Sequence, residues 1–397
     1  MRVIFTCGGT GGHINPAIAV AKLLQSRQPD CEILFIGAVG GMEETLVRRE
    51  GFCLETLKIS NFQRRLTPAA IGHNVKTAAN IAGAMRRVKK ILRKFRPDVI
   101  VGTGGYASFP ALKQGAKLHI PTAVHESNAV PGLTTRMVAD QVDRIMVCFE
   151  ESKACYANAD RVRVVGMPVR EEFIYRKRRD ARQALGLDER PLVVSCWGSL
   201  GAREMNKKIA EFFKLESVHD PWQHIHATGS YGWRWMPEYV RQLGVDLTQH
   251  PNIDMREYIY NMPDLMAAAD VIICRGGSST LNEVAAAGTP CIIVPSPNAT
   301  DNHQEKNARI LEKRGAAEVL LERDCDGKTL YEKTEALLAD PDRRGKMRQA
   351  LLSMAVVDSA ERIYQIILEL ARARCPGPAH RMGKLICAEA IICRALS

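Results

Sequence analysis

One stretch of the chain, from Val271 to Glu283, combines an apolar run, two glycines, three hydroxyl residues and a carboxylate. The apolar run 271–274 predicts a short parallel strand that is buried on both faces. The glycines 276–277 predict a tight turn that leaves room for a ligand. A helical pattern follows, and we expect its hydroxyl residues to cap that helix: Ser278, Ser279 and Thr280.

The chemistry expected of this stretch follows from the start of the helix. Free N–H groups and roughly half a positive charge at a helix start suit a phosphate group. Glu283 lies about one turn further in, where its carboxylate could accept hydrogen bonds from the two vicinal hydroxyls of a ribose. The stretch therefore predicts a site for a nucleoside diphosphate. An ordinary strand–turn–helix is the alternative, and this stretch alone does not separate the two.

A second glycine loop, Gly8 to His13, follows the first apolar strand and opens a helical pattern. Four glycines in five residues favour a loop that cradles a ligand over a simple turn. The loop is not a dinucleotide fingerprint, because Ile14 stands at the third glycine position, and no Gly-Lys-Ser/Thr follows as in a Walker loop. His13 could take a proton from an attacking hydroxyl near neutral pH, or it could only orient the loop.

Polar residues also follow other predicted strands. The cluster His125-Glu-Ser-Asn128 predicts either a site loop or a capped turn. Arg170, just past a Gly-Met-Pro break, could reach a phosphate or could simply be solvated. Ser199 ends the strand that begins at Leu192 and could hold phosphate oxygens. Gln304 could bind sugar hydroxyls, although a polar helix start would explain it equally well.

Composition excludes several classes of protein. At 397 residues the chain has room for two or three domains. Its twelve cysteines are scattered without a Cys-x-x-Cys pair, which favours reduced thiols over a disulfide frame or a zinc site. We expect no signal peptide, because residues 1–5 run straight into a glycine turn and are too few for an apolar core segment. We expect no membrane span, because no apolar run approaches ~20 residues. Asp324-Cys-Asp326 matches a metal-binding Asp-x-Asp only formally, and we expect neither a metal nor a cofactor.

The excess positive charge is concentrated in one segment. Ten Lys and Arg side chains and no acid lie between Ser60 and Arg96, against a net charge of +11 for the whole chain. The apolar residues of 68–95 predict one or two amphipathic helices. Each base near an anionic leaflet is worth ~1 kcal/mol, which suffices for reversible docking when about half of them face it. We expect residues 60–96 to bind an anionic membrane surface; nucleic acid is disfavoured by the scarcity of interleaved aromatics, and a solvated face is the alternative.

Two halves of the chain echo each other, which predicts the fold class. The segment 2–9 resembles 192–199, and the segment 99–105 resembles 271–277. Strands that alternate with helices imply parallel sheets with ligands at their carboxyl edges. We predict an α/β protein with two doubly wound Rossmann-like domains that face each other across a cleft. The predicted segments are 1–166 and 167–354 for the domains, 355–374 for a last helix, and 375–397 for a tail of unknown role.

Taken in order, these motifs resemble the MurG family of bacterial cell-wall N-acetylglucosaminyltransferases. The resemblance covers the chain from Arg2 to about Ala373. It rests on motifs that match the family in order and spacing: Gly8-Gly-Thr-Gly-Gly-His13, Gly102-Thr-Gly-Gly-Tyr106, His125-Glu-Ser-Asn128, Gly166-Met-Pro-Val-Arg170, Gly198-Ser-Leu-Gly-Ala-Arg203, Arg275-Gly-Gly-Ser-Ser-Thr-Leu-Asn-Glu283 and Asp301-Asn-His-Gln304.

The resemblance implies a GT-B-type fold whose C-terminal helix crosses back to the first domain. It implies an inverting transfer of N-acetylglucosamine from UDP-N-acetylglucosamine (UDP-GlcNAc) to the C4 hydroxyl of undecaprenyl-pyrophosphoryl-N-acetylmuramoyl-pentapeptide. The enzyme would lie peripherally on the cytoplasmic face of the cell membrane and would bind no nucleic acid. A UDP-GlcNAc epimerase, a nicotinamide dehydrogenase and a non-catalytic membrane adaptor are the rival interpretations.

The same resemblance implies a role for each matching residue. The diphosphate and ribose would lie on Ser278, Ser279, Thr280, Leu281, Asn282 and Glu283, with Glu283 on the ribose hydroxyls. Ile259 would contact uracil through its backbone, Arg170 and Ser199 would contact phosphate, and Gln304 would contact the sugar. Thr10, Gly11, Gly12 and Asn128 would line the first-domain side of the cleft, with His13 as general base and Glu126 in reserve.

One departure from the family concerns Trp197, which stands before Gly198 where the family commonly has a second glycine. Its bulky ring would either press on the diphosphate loop or pack beneath it. The tail after Cys375 matches nothing in the family pattern.

Overall fold

The computed structural model describes residues 1–59 and 68–374, and it leaves out the side chains at 68–76, 78 and 374. The chain divides into two compact units. Of the described residues, the first unit contains 1–59, 68–127, 131–168 and 358–374, and the second contains 128–130 and 169–357.

The first unit is built on a parallel seven-stranded sheet. Its strands are β1 (Arg2–Thr6), β2 (Glu32–Ala38), β3 (Cys53–Leu57), β4 (Val99–Gly102), β5 (Thr122–Glu126), β6 (Arg144–Val147) and β7 (Val162–Val164). The spatial order is β3-β2-β1-β4-β5-β6-β7. The helices of this part are α1 (Gly11–Arg27), α2 (Glu43–Arg49), α3 (Pro68–Phe95), α4 (Ser108–Lys117) and α5 (Leu133–Val138), with short 3₁₀ turns at Glu150–Cys155 and Ala159–Arg161.

The second unit repeats this design with six parallel strands. They are β8 (Leu192–Cys196), β9 (Gln223–Ala227), β10 (Ile253–Arg256), β11 (Val271–Cys274), β12 (Cys291–Ile293) and β13 (Glu318–Val319), in the order β10-β9-β8-β11-β12-β13. Its helices are α6 (Glu171–Tyr175), α7 (Arg178–Ala184), α8 (Arg203–Glu216), α9 (Met236–Gln242), α10 (Met262–Ala268), α11 (Ser278–Ala287), α12 (His303–Lys313), α13 (Gly327–Leu338) and α14 (Pro341–Met354). Short 3₁₀ turns lie at Leu247–Gln249, Thr300–Asn302 and Glu322–Asp324.

The last helix, α15 (Ser359–Arg374), belongs to the first unit. Its apolar stripe follows the helical period, and Ile363, Ile367 and Leu370 are buried in the core that contains β1 and α1. Tyr364 adds a polar contact, since its hydroxyl accepts a hydrogen bond from Gln28 Nε2 at 3.4 Å. Burial of this stripe explains why the helix packs against α1 although more than 300 residues separate them in sequence.

The order of the strands confirms the internal repeat and the predicted α/β fold class. β1 pairs with both β2 and β4, and β8 pairs with both β9 and β11. The strand order therefore reverses between β1 and β4 in the first sheet and between β8 and β11 in the second. These are the strands that the sequence repeat predicted to be equivalent. Ligands of doubly wound sheets bind in the crevice at this reversal, just beyond the carboxyl ends of the strands. Both predicted glycine loops of each half lie at such a point.

The described part of the basic segment forms one continuous helix, α3. Ala84, Val88 and Leu92 recur every four residues and are buried against the sheet. The basic side chains of the same turns are all exposed: Arg86, Arg87, Lys89, Lys90, Arg93 and Lys94. Residues 60–67 of the predicted membrane segment lie outside the described residues.

Neither a membrane-spanning helix nor a cluster of metal ligands is present in the described part of the chain. No helix within 1–59 and 68–374 is both long and apolar enough to cross a membrane. In those same ranges no three His, Cys, Asp or Glu side chains cluster as metal ligands. Asp326 of the formal Asp-x-Asp match instead caps α13, because its Oδ1 accepts a hydrogen bond from the Thr329 N–H at 2.7 Å.

Candidate active site

The turn between β11 and α11 differs in one respect from the sequence-based prediction. Gly277, and not a hydroxyl residue, occupies the N-cap position, with extended backbone angles of φ −69° and ψ 134°. Ser278, Ser279 and Thr280 form the first turn of the helix, so their predicted capping role is wrong. The reason is that the glycine pair completes the turn one residue earlier. Because glycine has no side chain, the cap residue does not cover the N–H groups at the helix start.

Gly276 is the point where two helix starts meet. A Cβ at this position would lie 2.3 Å from the carbonyl oxygen of Gln304, so only glycine fits. The Gln304 side chain is oriented by a hydrogen bond in which its Oε1 accepts from the Ser296 N–H at 2.9 Å. This bond places the NH₂ group at the opposite end of the amide, where it can donate to a sugar hydroxyl. The starts of α11 and α12 therefore lie side by side.

Glu283 and Arg170, both predicted from the sequence, influence each other electrostatically. Burial raises the pKa of the Glu283 carboxyl to about 7, and the positive charge of Arg170 opposes this rise. Arg170 is the N-cap residue of α6, and its guanidinium lies 5.1 Å from the centre of the Phe173 ring. A carboxylate and a guanidinium therefore lie near the start of α11, suited to a diol and to a phosphate respectively.

Ser199 lies on the exposed loop 198–201, beside the β11–α11 turn because β8 and β11 are neighbours. Its carbonyl oxygen accepts a hydrogen bond from the Ser230 N–H at 3.2 Å, which ties the loop to the segment after β9. Trp197, directly before this loop, is 5% exposed, and the Arg275 guanidinium lies 5.6 Å from the centre of its ring. Arg275 is anchored in turn by an ion pair with Glu322 at 2.6 Å.

Ile259 lies between β10 and α10, at the same carboxyl edge of the sheet. The residue is buried, with 5% of its surface exposed. Tyr258 and Tyr260 on either side are exposed, and their rings meet edge to face with centres 4.9 Å apart.

Asn307, for which the sequence predicted no role, connects Asn128 to the turn before α11. Its side chain is fully buried, and its Nδ2 donates to the Asn128 side-chain oxygen at 3.1 Å and to the Gly276 carbonyl at 3.2 Å. Its Oδ1 accepts from the Ala129 N–H at 2.8 Å. Asn307 thus holds Asn128 against the turn that precedes α11. The dense polar stretch 301–307 was the available signal, but the partner residues are far away in sequence.

His13 in the first unit is arranged as a proton acceptor. Its Nδ1 lies 3.1 Å from the Gly8 carbonyl oxygen, which can only accept, so Nδ1 carries the hydrogen and Nε2 the free lone pair. Thr103 holds the backbone, donating from its hydroxyl to the His13 carbonyl at 2.6 Å. Gly104 makes room for the ring, because a Cβ there would lie 2.7 Å from the imidazole.

The loop around His13 is locked by backbone packing. A Cβ at Gly105 would lie 2.0 Å from the Gly8 carbonyl oxygen, which is why the turn after β4 needs glycine here. Thr10 is exposed and is the N-cap of α1 without a side-chain capping bond. Gly11 and Gly12 are the first two residues of that helix. The start of α1 therefore resembles the start of α11.

Glu126 is less suited to proton transfer than His13. Its Oε2 accepts hydrogen bonds from the Gly132 N–H at 2.9 Å and from the Thr135 hydroxyl at 2.6 Å, so this oxygen holds the start of α5. The side chain is 5% exposed. His125 is also buried and contacts the Gly166 carbonyl through Nε2 at 2.8 Å; burial lowers its pKa. Both residues therefore stabilise the loop on which they lie.

Comparison with known proteins agrees with this geometry. The Glycosyltransferase family 28 N-terminal domain matches residues 3–147, and the family 28 C-terminal domain matches 192–363. A UDP-N-acetylglucosamine–N-acetylmuramyl-(pentapeptide) pyrophosphoryl-undecaprenol N-acetylglucosamine transferase from Caldanaerobacter subterraneus is 41% identical, over 92% of this chain and 99% of its own length. A protein of the same name from Acetivibrio thermocellus is 37% identical, over 95% and 100%.

Solved structures with a similar fold include a MurG enzyme and a UDP-GlcNAc 2-epimerase. The MurG crystal structure from Acinetobacter baumannii superposes with a TM-score of 0.73 at 25% identity, covering 93% of this chain and 99% of its own. A UDP-GlcNAc 2-epimerase from Neisseria meningitidis shares the fold with a TM-score of 0.63 at 13% identity, covering 93% and 100%. With relatives this similar over nearly their whole length, the chain belongs to the MurG family of N-acetylglucosamine transferases, within glycosyltransferase family 28.

Proposed function

We propose that this protein transfers N-acetylglucosamine from UDP-GlcNAc to the C4 hydroxyl of undecaprenyl-pyrophosphoryl-N-acetylmuramoyl-pentapeptide, with inversion at the anomeric carbon. The observation that carries the proposal is the start of α11, where a glycine cap leaves the helix N–H groups to a ligand and Glu283 follows one turn later. The nearly full-length relatives are named as enzymes that transfer N-acetylglucosamine to such an acceptor.

The donor would lie along the carboxyl edge of the second unit. Its diphosphate fits the first turn of α11, Ser278 to Asn282, together with Ser199 and Arg170. Glu283 fits the ribose hydroxyls, and the backbone at Ile259 fits the edge of the uracil. The orientation of the Gln304 amide supports a contact with the sugar, and Asn128 is held beside the same turn by Asn307.

The reaction needs charge stabilisation and a base. As the acceptor hydroxyl attacks the anomeric carbon, the bond to UDP breaks and negative charge grows on the diphosphate. The helix start and Arg170 are fixed before the reaction, and such preorganised groups often supply the largest catalytic effect. The hydroxyl proton would pass to Nε2 of His13, whose other nitrogen is held by Gly8. Glu126 is the reserve candidate.

Helix α3 supports a peripheral membrane contact for the acceptor-binding unit. Six bases are exposed along its last three turns, one of which, Arg87, pairs with Glu55 at 3.0 Å, and the opposite side of those turns is buried against the sheet. An anionic surface of phospholipid headgroups is the partner that this distribution favours. Contact there would bring the first unit to the lipid-linked acceptor.

Acceptor-dependent release of UDP tests the proposed reaction. We expect UDP release from UDP-GlcNAc when a lipid-linked muramoyl-pentapeptide is present, and little release without it. A coupled UDP assay measures both conditions. Release that does not require the acceptor would favour an epimerase or a hydrolase. UDP binding without release in either condition would contradict the proposed transferase activity.

The raised pKa of Glu283 predicts that donor binding depends on pH. Ribose hydroxyls donate to the carboxylate, so the competent form appears as pH rises through about 7. UDP-GlcNAc has no phosphate that titrates near neutrality, so we expect its Kd to fall about tenfold between pH 6 and pH 8, in proportion to the ionised fraction. Calorimetry at several pH values measures this. Glu283→Gln should bind weakly and without pH dependence, whereas equal pH profiles for both proteins would exclude the role.

Replacement of His13 tests its role as base. We expect His13→Ala to lower turnover by about 100-fold or more, the usual effect of a lost general base, with little change in the Kd for UDP-GlcNAc. His219→Ala is the matched control, because His219 is an exposed histidine of the second unit. Steady-state kinetics with saturating substrates measures the effect. Near-normal turnover of His13→Ala would exclude His13 as the general base and leave Glu126 as the candidate.

Neutral substitutions on α3 test the membrane contact. We expect the combined variant Lys89→Gln, Lys90→Gln, Arg93→Gln and Lys94→Gln to bind anionic vesicles at least about tenfold more weakly, since each base contributes ~1 kcal/mol. The control replaces four exposed lysines of the second unit by Gln: Lys306, Lys313, Lys328 and Lys346. Vesicle sedimentation at low salt measures binding. Equal loss in both variants would show a general effect of charge and contradict a specific role of α3.

A further inference from the structure

A chain of four polar side chains crosses the core of the second unit. It runs from Glu216 at the end of α8 through His224 on β9 and Ser195 on β8 to His226 on β9. The three contacts are short: Glu216 Oε2 to His224 Nδ1 at 2.8 Å, His224 Nε2 to Ser195 Oγ at 2.8 Å, and Ser195 Oγ to His226 Nδ1 at 2.7 Å. All four residues are 0% exposed. We call this set the buried polar chain.

The buried polar chain is not a hidden hydrolytic triad, although serine, histidine and glutamate follow one another in it. A nucleophile must be reached by its substrate, and the Ser195 side chain is completely buried within the sheet. Its hydroxyl also lies between two imidazoles, so its hydrogen and one lone pair are both used. The buried polar chain can therefore act only through its effect on the structure of a neighbouring site.

The protonation states of these groups determine which atom donates and which accepts in each contact of the buried polar chain. Burial raises the pKa of Glu216 well above its ordinary range, and burial lowers the pKa of His224 to about 3 and the pKa of His226 well below its ordinary range. The neutral arrangement has the Glu216 carboxyl donating to His224, His224 donating to Ser195, and Ser195 donating to His226. Every contact then joins one donor to one acceptor, and no charge is buried.

The buried polar chain ends where two strands enter the loops of the donor site. Ser195 precedes Ser199 by four residues, and His226 precedes Thr228 by two. The loops after these strands interlock: the Ser230 N–H donates to the Ser199 carbonyl at 3.2 Å, and a Cβ at Gly201 would lie 2.0 Å from the Thr228 carbonyl oxygen. A shift of β8 against β9 would therefore move the loop that carries Ser199.

We propose that the buried polar chain positions the 198–201 loop for the donor diphosphate by fixing β8 against β9 and α8. Apolar side chains could fill the same volume, but they would tolerate small shifts. Directional hydrogen bonds do not, because a shift leaves buried polar groups without partners. Glu216, His224, Ser195 and His226 are thus positioning residues that do not touch the substrate. This inference rests on the proposed donor site.

Ser195→Ala tests the middle of the chain, because it removes two of the three hydrogen bonds. We expect the Kd and the KM for UDP-GlcNAc to rise about tenfold, with kcat at saturating donor within about twofold of wild type. Thr334→Val is the matched control, because the Thr334 hydroxyl is also fully buried and donates to the Leu330 carbonyl at 2.7 Å within α13. We expect this control to lose stability but to bind UDP-GlcNAc normally. An equal rise in Kd for both variants would overturn the proposal.

A pair of substitutions at Glu216 tests the far end of the chain and remains informative if Ser195→Ala folds poorly. Gln is neutral and can still hydrogen bond to His224, so we expect Glu216→Gln to keep the wild-type Kd within about twofold. Glu216→Leu cannot form the bond, and we expect it to weaken binding about as much as Ser195→Ala. Folded Glu216→Leu protein with a wild-type Kd would overturn the proposal.

Hydrogen exchange without ligand separates this inference from the proposed function. In Ser195→Ala and Glu216→Leu, we expect amides of 198–201 and 228–230 to exchange faster than in wild type, and in Thr334→Val to exchange at the wild-type rate. If wild-type protein does not bind UDP-GlcNAc, the proposed function fails, while this exchange result still supports or rejects the mechanical link. Unchanged exchange in both chain variants would reject it.

Discussion

The geometry of the donor site depends on one steric constraint, the contact of the Gly276 backbone with the first turn of α12. With 2.3 Å between a would-be Cβ and the Gln304 carbonyl, the turn admits no side chain, and the starts of α11 and α12 lie together. Asn307 then reaches the Gly276 carbonyl and also holds Asn128. Comparable contacts occur at Gly105 and Gly201, so backbone packing through glycine shapes the loops at the reversal point of each sheet.

Around this constraint the charges are distributed according to the two parts of a nucleoside diphosphate. The uncovered start of α11 and the guanidinium of Arg170 favour an anion, while the carboxylate of Glu283 favours a diol. Because the fold holds these groups, little reorganisation would be needed if charge developed on a diphosphate bound there, as we propose. In the first unit, the bond from His13 Nδ1 to the Gly8 carbonyl leaves Nε2 with a lone pair, which the proposed reaction would use to accept the proton of the acceptor hydroxyl.

Much of this could be predicted because the signals are local. The run 271–274 followed by two glycines predicted β11 and its turn, and the echo between 99–105 and 271–277 predicted that β4 and β11 occupy equivalent places. Features that depend on distant partners could not be predicted. The N-cap at Gly277, the packing of Trp197 under Arg275, and the pairing of Asn307 with Asn128 all depend on tertiary geometry. The polar residues of β9 gave no sign of burial, because alternating His side chains equally suit an exposed face.

We propose that UDP-GlcNAc binds at the start of α11. Hydrogen exchange of the full-length protein with and without UDP-GlcNAc, followed by mass spectrometry, tests this most directly. We expect strong protection of peptides that cover 275–283, with weaker protection at 198–201 and 258–260, because bound phosphate and uracil would occupy those backbone N–H groups. Binding without protection at 275–283, or with protection confined to the first unit, would contradict it.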